Sequence, residues 1–215
     1  MKENTTKLET YLTVLAIFLM GYLDAYSMNF LDNAIISAQT GNLSKLIGEI
    51  AQGNWLGTLP YLGMLLGFAA GCVGAYLLSA KLYGTMKSWF VFSMFIYVIT
   101  IFHPFISKEI SMMLLSCATG IALTFFKNMN GLEALVGIQT GNLKRVWVGL
   151  TDLFVFKNHQ NKNVLIKVVI VVGLFSLGSL IGHLLLPFGN WMMLVVASGI
   201  CFLGQVVYPI WANGN

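Results

Sequence analysis

The chain has 215 residues, 57% of them hydrophobic and only 9% charged, with a formal net charge of +4. A soluble domain carries roughly 25% charged residues, so this chain cannot cover a water-exposed surface and reads as a polytopic membrane protein. The basic residues fall in loops, where they report orientation and do not suggest nucleic-acid binding. Cys72, Cys117 and Cys201 lie inside apolar runs without a CxxC pairing. No disulfide framework, metal site or cofactor is expected from them.

A membrane helix needs about 20 apolar residues. Six segments qualify: 10–31, 57–80, 88–106, 110–128, 164–186 and 191–211. Lys2 and Lys7 ahead of residues 12–20 mimic a secretory signal, but the apolar run continues to Leu31, too long for a signal core. In the second segment Gly63, Gly67 and Gly71 are four residues apart, as are Gly178 and Gly182 in the fifth. Small residues at that spacing make a flat helix face suited to tight packing.

Segments of mixed character, 32–56 and 129–163, separate the first helix from the second and the fourth from the fifth. Each holds one copy of a polar pentapeptide, Gln39-Thr40-Gly41-Asn42-Leu43 and, 100 residues later, Gln139-Thr140-Gly141-Asn142-Leu143. Residues 34–43 and 134–143 are identical at six of ten positions. A run of leucines repeats by chance, whereas a polar pentapeptide in an apolar chain marks a duplicated unit. The expected organisation is a single transmembrane domain over residues 1–215, with internal repeats of about 1–106 and 107–215.

Three helices per half is an odd number, so the second half must enter the membrane from the opposite side. The expected fold is an all-α membrane protein with six transmembrane helices in a 3+3 inverted repeat. With a cytoplasmic N-terminus, ten basic residues (Lys2, Lys7, Lys81, Lys87, Lys127, Lys144, Arg145, Lys157, Lys162, Lys167) lie inside and two, Lys45 and Lys108, outside. That bias puts both termini in the cytoplasm. Trp55, Trp89, Trp147, Trp191 and Trp211 fall near predicted helix ends, where indole rings favour the interface.

Within each pentapeptide, Thr-Gly-Asn is expected to break the chain, with Thr40 or Asn42 capping the start of a new helix. Leu43, Leu46, Ile47 and Ile50, and likewise Leu143, Trp147, Leu150 and Phe154, then predict a short amphipathic helix in each half. A broken helix at membrane depth is tolerated only against protein or a water-filled cavity. Its freed backbone groups can hold a polar ligand or ion. The alternative is an interfacial re-entrant turn in which Asn42 and Asn142 merely cap.

Asp24 stands roughly 18 Å along the first helix from Leu12. A carboxylate at that depth is costly and faces a cavity or a partner. At the 100-residue offset it maps onto Thr124. Its two readings are a coupling or cation-binding group, or a helix-end acid satisfied by a neighbouring helix. Tyr26, Ser27 and Asn29 add polar groups nearby. Thr124, Asn128 and His183 are further candidates to line a cavity. No GxSxG, HExxH or Walker-type loop is present, so an enzyme is not expected.

The segments Gly21-Tyr22-Leu23-Asp24-Ala25 and Gln39-Thr40-Gly41-Asn42-Leu43, with the second Thr140-Gly141-Asn142-Leu143, resemble the bacterial YoaK family of small membrane proteins. The resemblance implies a multi-pass protein of the bacterial cytoplasmic membrane and supplies no activity. The chain departs from the pattern after Gly120, where Ile121-Ala122-Leu123 replaces a Gln-Asn pair.

These readings lead to a small secondary transporter for a small solute or ion, with a site between the repeats. Asp24, Gln39, Thr40, Gly41, Asn42, Gln139, Thr140, Gly141 and Asn142 would bind substrate or ion. The alternative is a non-transporting membrane scaffold or regulator. The expected partners are the bilayer, the unidentified solute and a second copy of the chain, with the Gly63/Gly67/Gly71 face as the candidate homodimer surface.

Overall fold

A computed structural model of the chain describes residues 2–79, 85–134 and 136–213. Lys81 and Leu135 lie outside the described residues, as does the side chain of Trp211. Eight α-helices run in order through the described residues: α1 Lys2–Phe30, α2 Gln39–Ala51, α3 Trp55–Ser79, α4 Thr85–Phe102, α5 Lys108–Phe125, α6 Gln139–Phe154, α7 Lys162–Leu185 and α8 Asn190–Asn213. Each predicted membrane segment falls on one of the long helices, and each pentapeptide opens one of the short ones. The fold is all-helical, as expected, with one small addition among the described residues. Strands β1 Asn128–Met129 and β2 Leu132–Glu133 form a small antiparallel hairpin before α6. Asn130 and Gly131, both at positive φ, make its turn.

Five helices, α1, α3, α5, α7 and α8, contain stretches long and apolar enough to cross a membrane; α4 is apolar over Met86–Phe102 but shorter. The chain is a multi-pass membrane protein. Its apolar surface is arranged accordingly. Leu59, Leu66, Val73, Leu180, Leu184 and Phe202 all point outward, a distribution that only lipid tolerates. The most enclosed helix is α1, followed by α5.

Helix pairing is close because glycines permit it. The main contacts join α1 to α7 and α3 to α5. A Cβ on Gly21 would overlap the Phe175 carbonyl, and one on Gly178 would overlap the Phe18 carbonyl. Across the other pair, Gly120 abuts the Phe68 carbonyl, Gly71 that of Cys117 and Gly67 that of Met113. The Gly67/Gly71 face is therefore spent on α5 within one chain, and it cannot be the homodimer surface suggested by its spacing. Gly63 alone of that series has open space beside it.

Helices α4 and α8 pack on each other. Trp89 donates its indole N–H to the Cys201 carbonyl at 2.9 Å and rests against Gly204. It is fully buried against Phe92 and Phe126, so it is a core residue and not the interfacial anchor its place near a helix start suggested. Trp55, Trp147 and Trp191 are exposed.

Charged side chains collect at two ends of the bundle. At one, Lys108 pairs with Asp32 at 2.9 Å and Lys45 donates to the Asn33 carbonyl at 2.8 Å. At the other, Arg145 donates to the Glu133 carbonyl, Lys167 to the Asn130 carbonyl and Asn128 to Glu9.

Candidate functional site

The chain reverses direction after α1 through Asp32 and Asn33, both at positive φ. Asp and Asn tolerate that region better than most residues. Residues 34–38 then run back into the bundle. Ser27, one turn after Asp24, donates its hydroxyl to the Ala34 carbonyl at 2.8 Å. The Ser37 backbone N–H donates to Asp24 Oδ1 at 3.0 Å, and its hydroxyl donates to Oδ2. The buried carboxylate thus receives two hydrogen bonds from one residue, which offsets the cost of enclosing it.

Helix α2 begins directly after this anchor. The pentapeptide is its first turn and not a break; the irregular backbone lies before it. Ala38 and Ile138 occupy the cap positions, and neither supplies a side-chain cap. The expected capping by Thr40 or Asn42 does not occur. Asn42 instead donates its side-chain N–H to the Ile35 carbonyl at 3.0 Å and stitches the incoming loop to the helix. Gln39 does the same to the Ile36 carbonyl at 2.6 Å.

The second half builds a matching approach from the hairpin. Gly137 takes φ 77°, a region open to glycine at little cost. A Cβ built on it would lie 3.2 Å from the Cβ of Ser37. The two loops therefore meet, although one leaves from the Lys108 end and the other from the Glu133 end.

A cavity of about 370 Å³ lies where they meet. That is a typical size for a small-ligand pocket. Asp24, Ser37, Gln39, Thr40, Gln139, Thr140 and Ser179 supply its polar groups, while Phe68, Leu123 and Phe175 supply apolar wall. The first turns of α2 and α6 both contribute to its lining, through Gln39 and Thr40 and through Gln139 and Thr140. None of the lining residues is Lys, Arg or His. By distance along α1, Asp24 is about 21 Å from Thr10, whose hydroxyl accepts the Asn130 N–H.

Of the residues expected at a site, five line the cavity: Asp24, Gln39, Thr40, Gln139 and Thr140. Gly41, Asn42, Gly141 and Asn142 do not. Both asparagines are buried one turn further into their helices. The other candidates, Tyr26, Asn29, Thr124, Asn128 and His183, do not line this cavity. Tyr26 is buried against Phe30, and Asn29 donates to the Ala25 carbonyl. Thr124 donates to the Gly120 carbonyl, and His183 bonds the Ser179 carbonyl. Asn128 is in the hairpin, on Glu9.

Gly21 and Gly120 occupy like positions against α7 and α3, which aligns Asp24 with Leu123 and not with Thr124. Both Asp24 and Leu123 line the cavity. Ser37 was overlooked, although it is the one polar residue in the segment upstream of the first pentapeptide and glycine replaces it in the second. Phe68 and Phe175 were overlooked because an apolar residue in an apolar helix carries no signal of its own.

The profile of a family described as "Protein of unknown function (DUF1275)" matches residues 12–207, a span that takes in both loops and the whole cavity. The chain belongs to the DUF1275 family. This is the YoaK-like membrane protein family, as the paired motifs implied. No curated protein and no solved structure matches the chain. Membership in DUF1275 therefore brings no activity with it, and the cavity has to be read from its own chemistry.

Proposed function

We propose that this DUF1275 protein is a small secondary transporter, built as a 3+3 inverted repeat with α4 as its sixth span. It moves a small solute or ion across the bacterial cytoplasmic membrane. The observation that carries the reading is the meeting of two short-helix N-termini, delivered from opposite ends of the bundle, at one polar cavity. Inverted-repeat transporters place discontinuous helices around a site near the midplane in this manner.

Exchange of the halves supports the repeat. Mapping α1, α2, α3 and α4 onto α5, α6, α7 and α8 turns the α1–α7 contact into α5–α3. It likewise turns α2–α3 into α6–α7 and α1–α8 into α5–α4, all of which are present. The glycine contacts agree with the exchange: Gly21 on Phe175 corresponds to Gly120 on Phe68, and Gly178 on Phe18 to Gly71 on Cys117. In this reading both termini are cytoplasmic, and Lys45 and Lys108 mark the outer end.

Asp24, with Leu123 at the matching place, and Ser37, with Gly137 at its own, make the site one-sided. A single acid among amide and hydroxyl groups suits a coupling proton or a cation. The test places cysteines at Thr40 and Thr140 in a background with Cys72, Cys117 and Cys201 replaced by alanine. Membrane-impermeant thiol reagents are then applied from each side of oriented vesicles. Transport requires both positions to be reached from water, from opposite sides. If both stay sealed from both sides, a scaffold or regulator replaces the transporter.

A further inference from the structure

A second cavity, of about 420 Å³, lies between α6 and α7, away from the paired loops. Its lining divides by chemistry. Lys144 and Arg145 lie towards the start of α6, Asp152 stands about two turns further along it with Asn161 also in the lining, and Val148, Val164 and Val168 supply the apolar wall. Lys144 and Arg145 are exposed, and so are Trp147, Phe154 and Phe156 beside them. Close approach of the two helices depends on Gly149, where an added Cβ would reach Leu165 Cδ1 at 2.9 Å.

We propose that this groove binds an anionic phospholipid, with the headgroup phosphate at Lys144 and Arg145 and one acyl chain along the valine wall. A basic rim above an apolar trough, flanked by exposed aromatic rings, matches such an amphiphile in charge and in polarity. A soluble anion has no use for the valines, and a zwitterionic lipid has no net charge to offer the rim.

The residues at the 100-residue offset differ from those that line this groove. At the 100-residue offset Ser44 and Lys45 replace Lys144 and Arg145, and Glu49 replaces Gly149. Lys45 bonds the Asn33 carbonyl much as Arg145 bonds the Glu133 carbonyl, so the base that the second copy adds is Lys144. Of the two segments, only the second thus carries a pair of adjacent bases at these positions.

The experiment is native mass spectrometry of the full chain in neutral detergent, titrated with phosphatidylglycerol, phosphatidylcholine or soluble glycerol phosphate. Phosphatidylglycerol is expected to bind tightest. Lys144→Gln should weaken it about fivefold, the share of one basic residue near a membrane surface. Arg145→Gln should do the same, and Lys157→Gln, outside the groove, should not. Lys144→Gln leaves the Arg145–Glu133 bond in place, so it decides the matter even if Arg145→Gln folds poorly. Equal binding of phosphatidylcholine, displacement by glycerol phosphate at equal concentration, or unchanged binding by Lys144→Gln would each overturn the proposal.

Discussion

Ser37 closes on Asp24 with both its backbone N–H and its hydroxyl. One residue thereby fixes the loop that feeds α2 to the side of α1. Truncating the acid leaves that buried N–H and hydroxyl without acceptors, which costs about 1–3 kcal/mol. Truncating the serine removes one bond and leaves the backbone bond intact. Asp24→Ala is therefore expected to lower the unfolding temperature in detergent clearly more than Ser37→Ala. Equal losses would mean that the hydroxyl carries the anchor alone.

In the proposed transporter the same acid is the coupling group. With Asp24→Asn the side chain still fills its place but holds no exchangeable charge. Uptake driven by a pH gradient or a cation gradient in proteoliposomes should fall to background. Counterflow of the same solute should survive, because the cavity keeps its other polar groups. Gradient-driven uptake at the native rate would remove Asp24 from the coupling role.

Glycine substitutions should divide sharply. Gly21→Ala, Gly178→Ala and Gly120→Ala each push a methyl group into a facing carbonyl. Overpacking of this kind costs about 1–3 kcal/mol or more, and yields of folded protein in fluorescence-detected gel filtration should drop. Gly173→Ala and Gly199→Ala meet nothing within 4 Å. Their thermal stability should be unchanged or slightly raised, since alanine is the better helix former. Loss of folded protein from Gly173→Ala would contradict the packing described.

Trp89→Phe removes the indole N–H that reaches the Cys201 carbonyl, which keeps its place in the α8 ladder, and should cost about 0.5–1.5 kcal/mol. Trp55→Phe, on an exposed ring, should cost far less. The order of the two melting temperatures checks the assignment of Trp89 to the core.

The long helices were legible because about 20 apolar residues have few other uses. The two short helices were legible because a polar pentapeptide occurs twice. Asp24 was legible from the cost of a charge in an apolar segment. What escaped the sequence was the direction of side chains. Asn42 and Thr40 are two residues apart in one motif, yet one stitches backbone and the other lines the cavity. Trp89 sits near a helix start, as an interfacial ring would, but the packing of α8 encloses it. The hairpin at Asn128–Glu133 depends on a local Asn-Gly turn inside a segment read only as the connection into α6. Phe68 and Phe175 become wall residues only through the contacts of Gly120 and Gly21.

The pairing of α1 with α7 has a consequence for biogenesis. The close partner of α1 is α7, and synthesis must add the whole stretch from Leu31 to Asn161 before α7 begins. At bacterial elongation speeds that delay is on the order of ten seconds. For that time the Gly21 face of α1 has only lipid, or an insertion chaperone, against it. Helices α3 and α5 can pair earlier and give α1 a provisional neighbour. The bundle would then close late and from the C-terminal side, so chains truncated before α7 are expected to be prime substrates for membrane quality control.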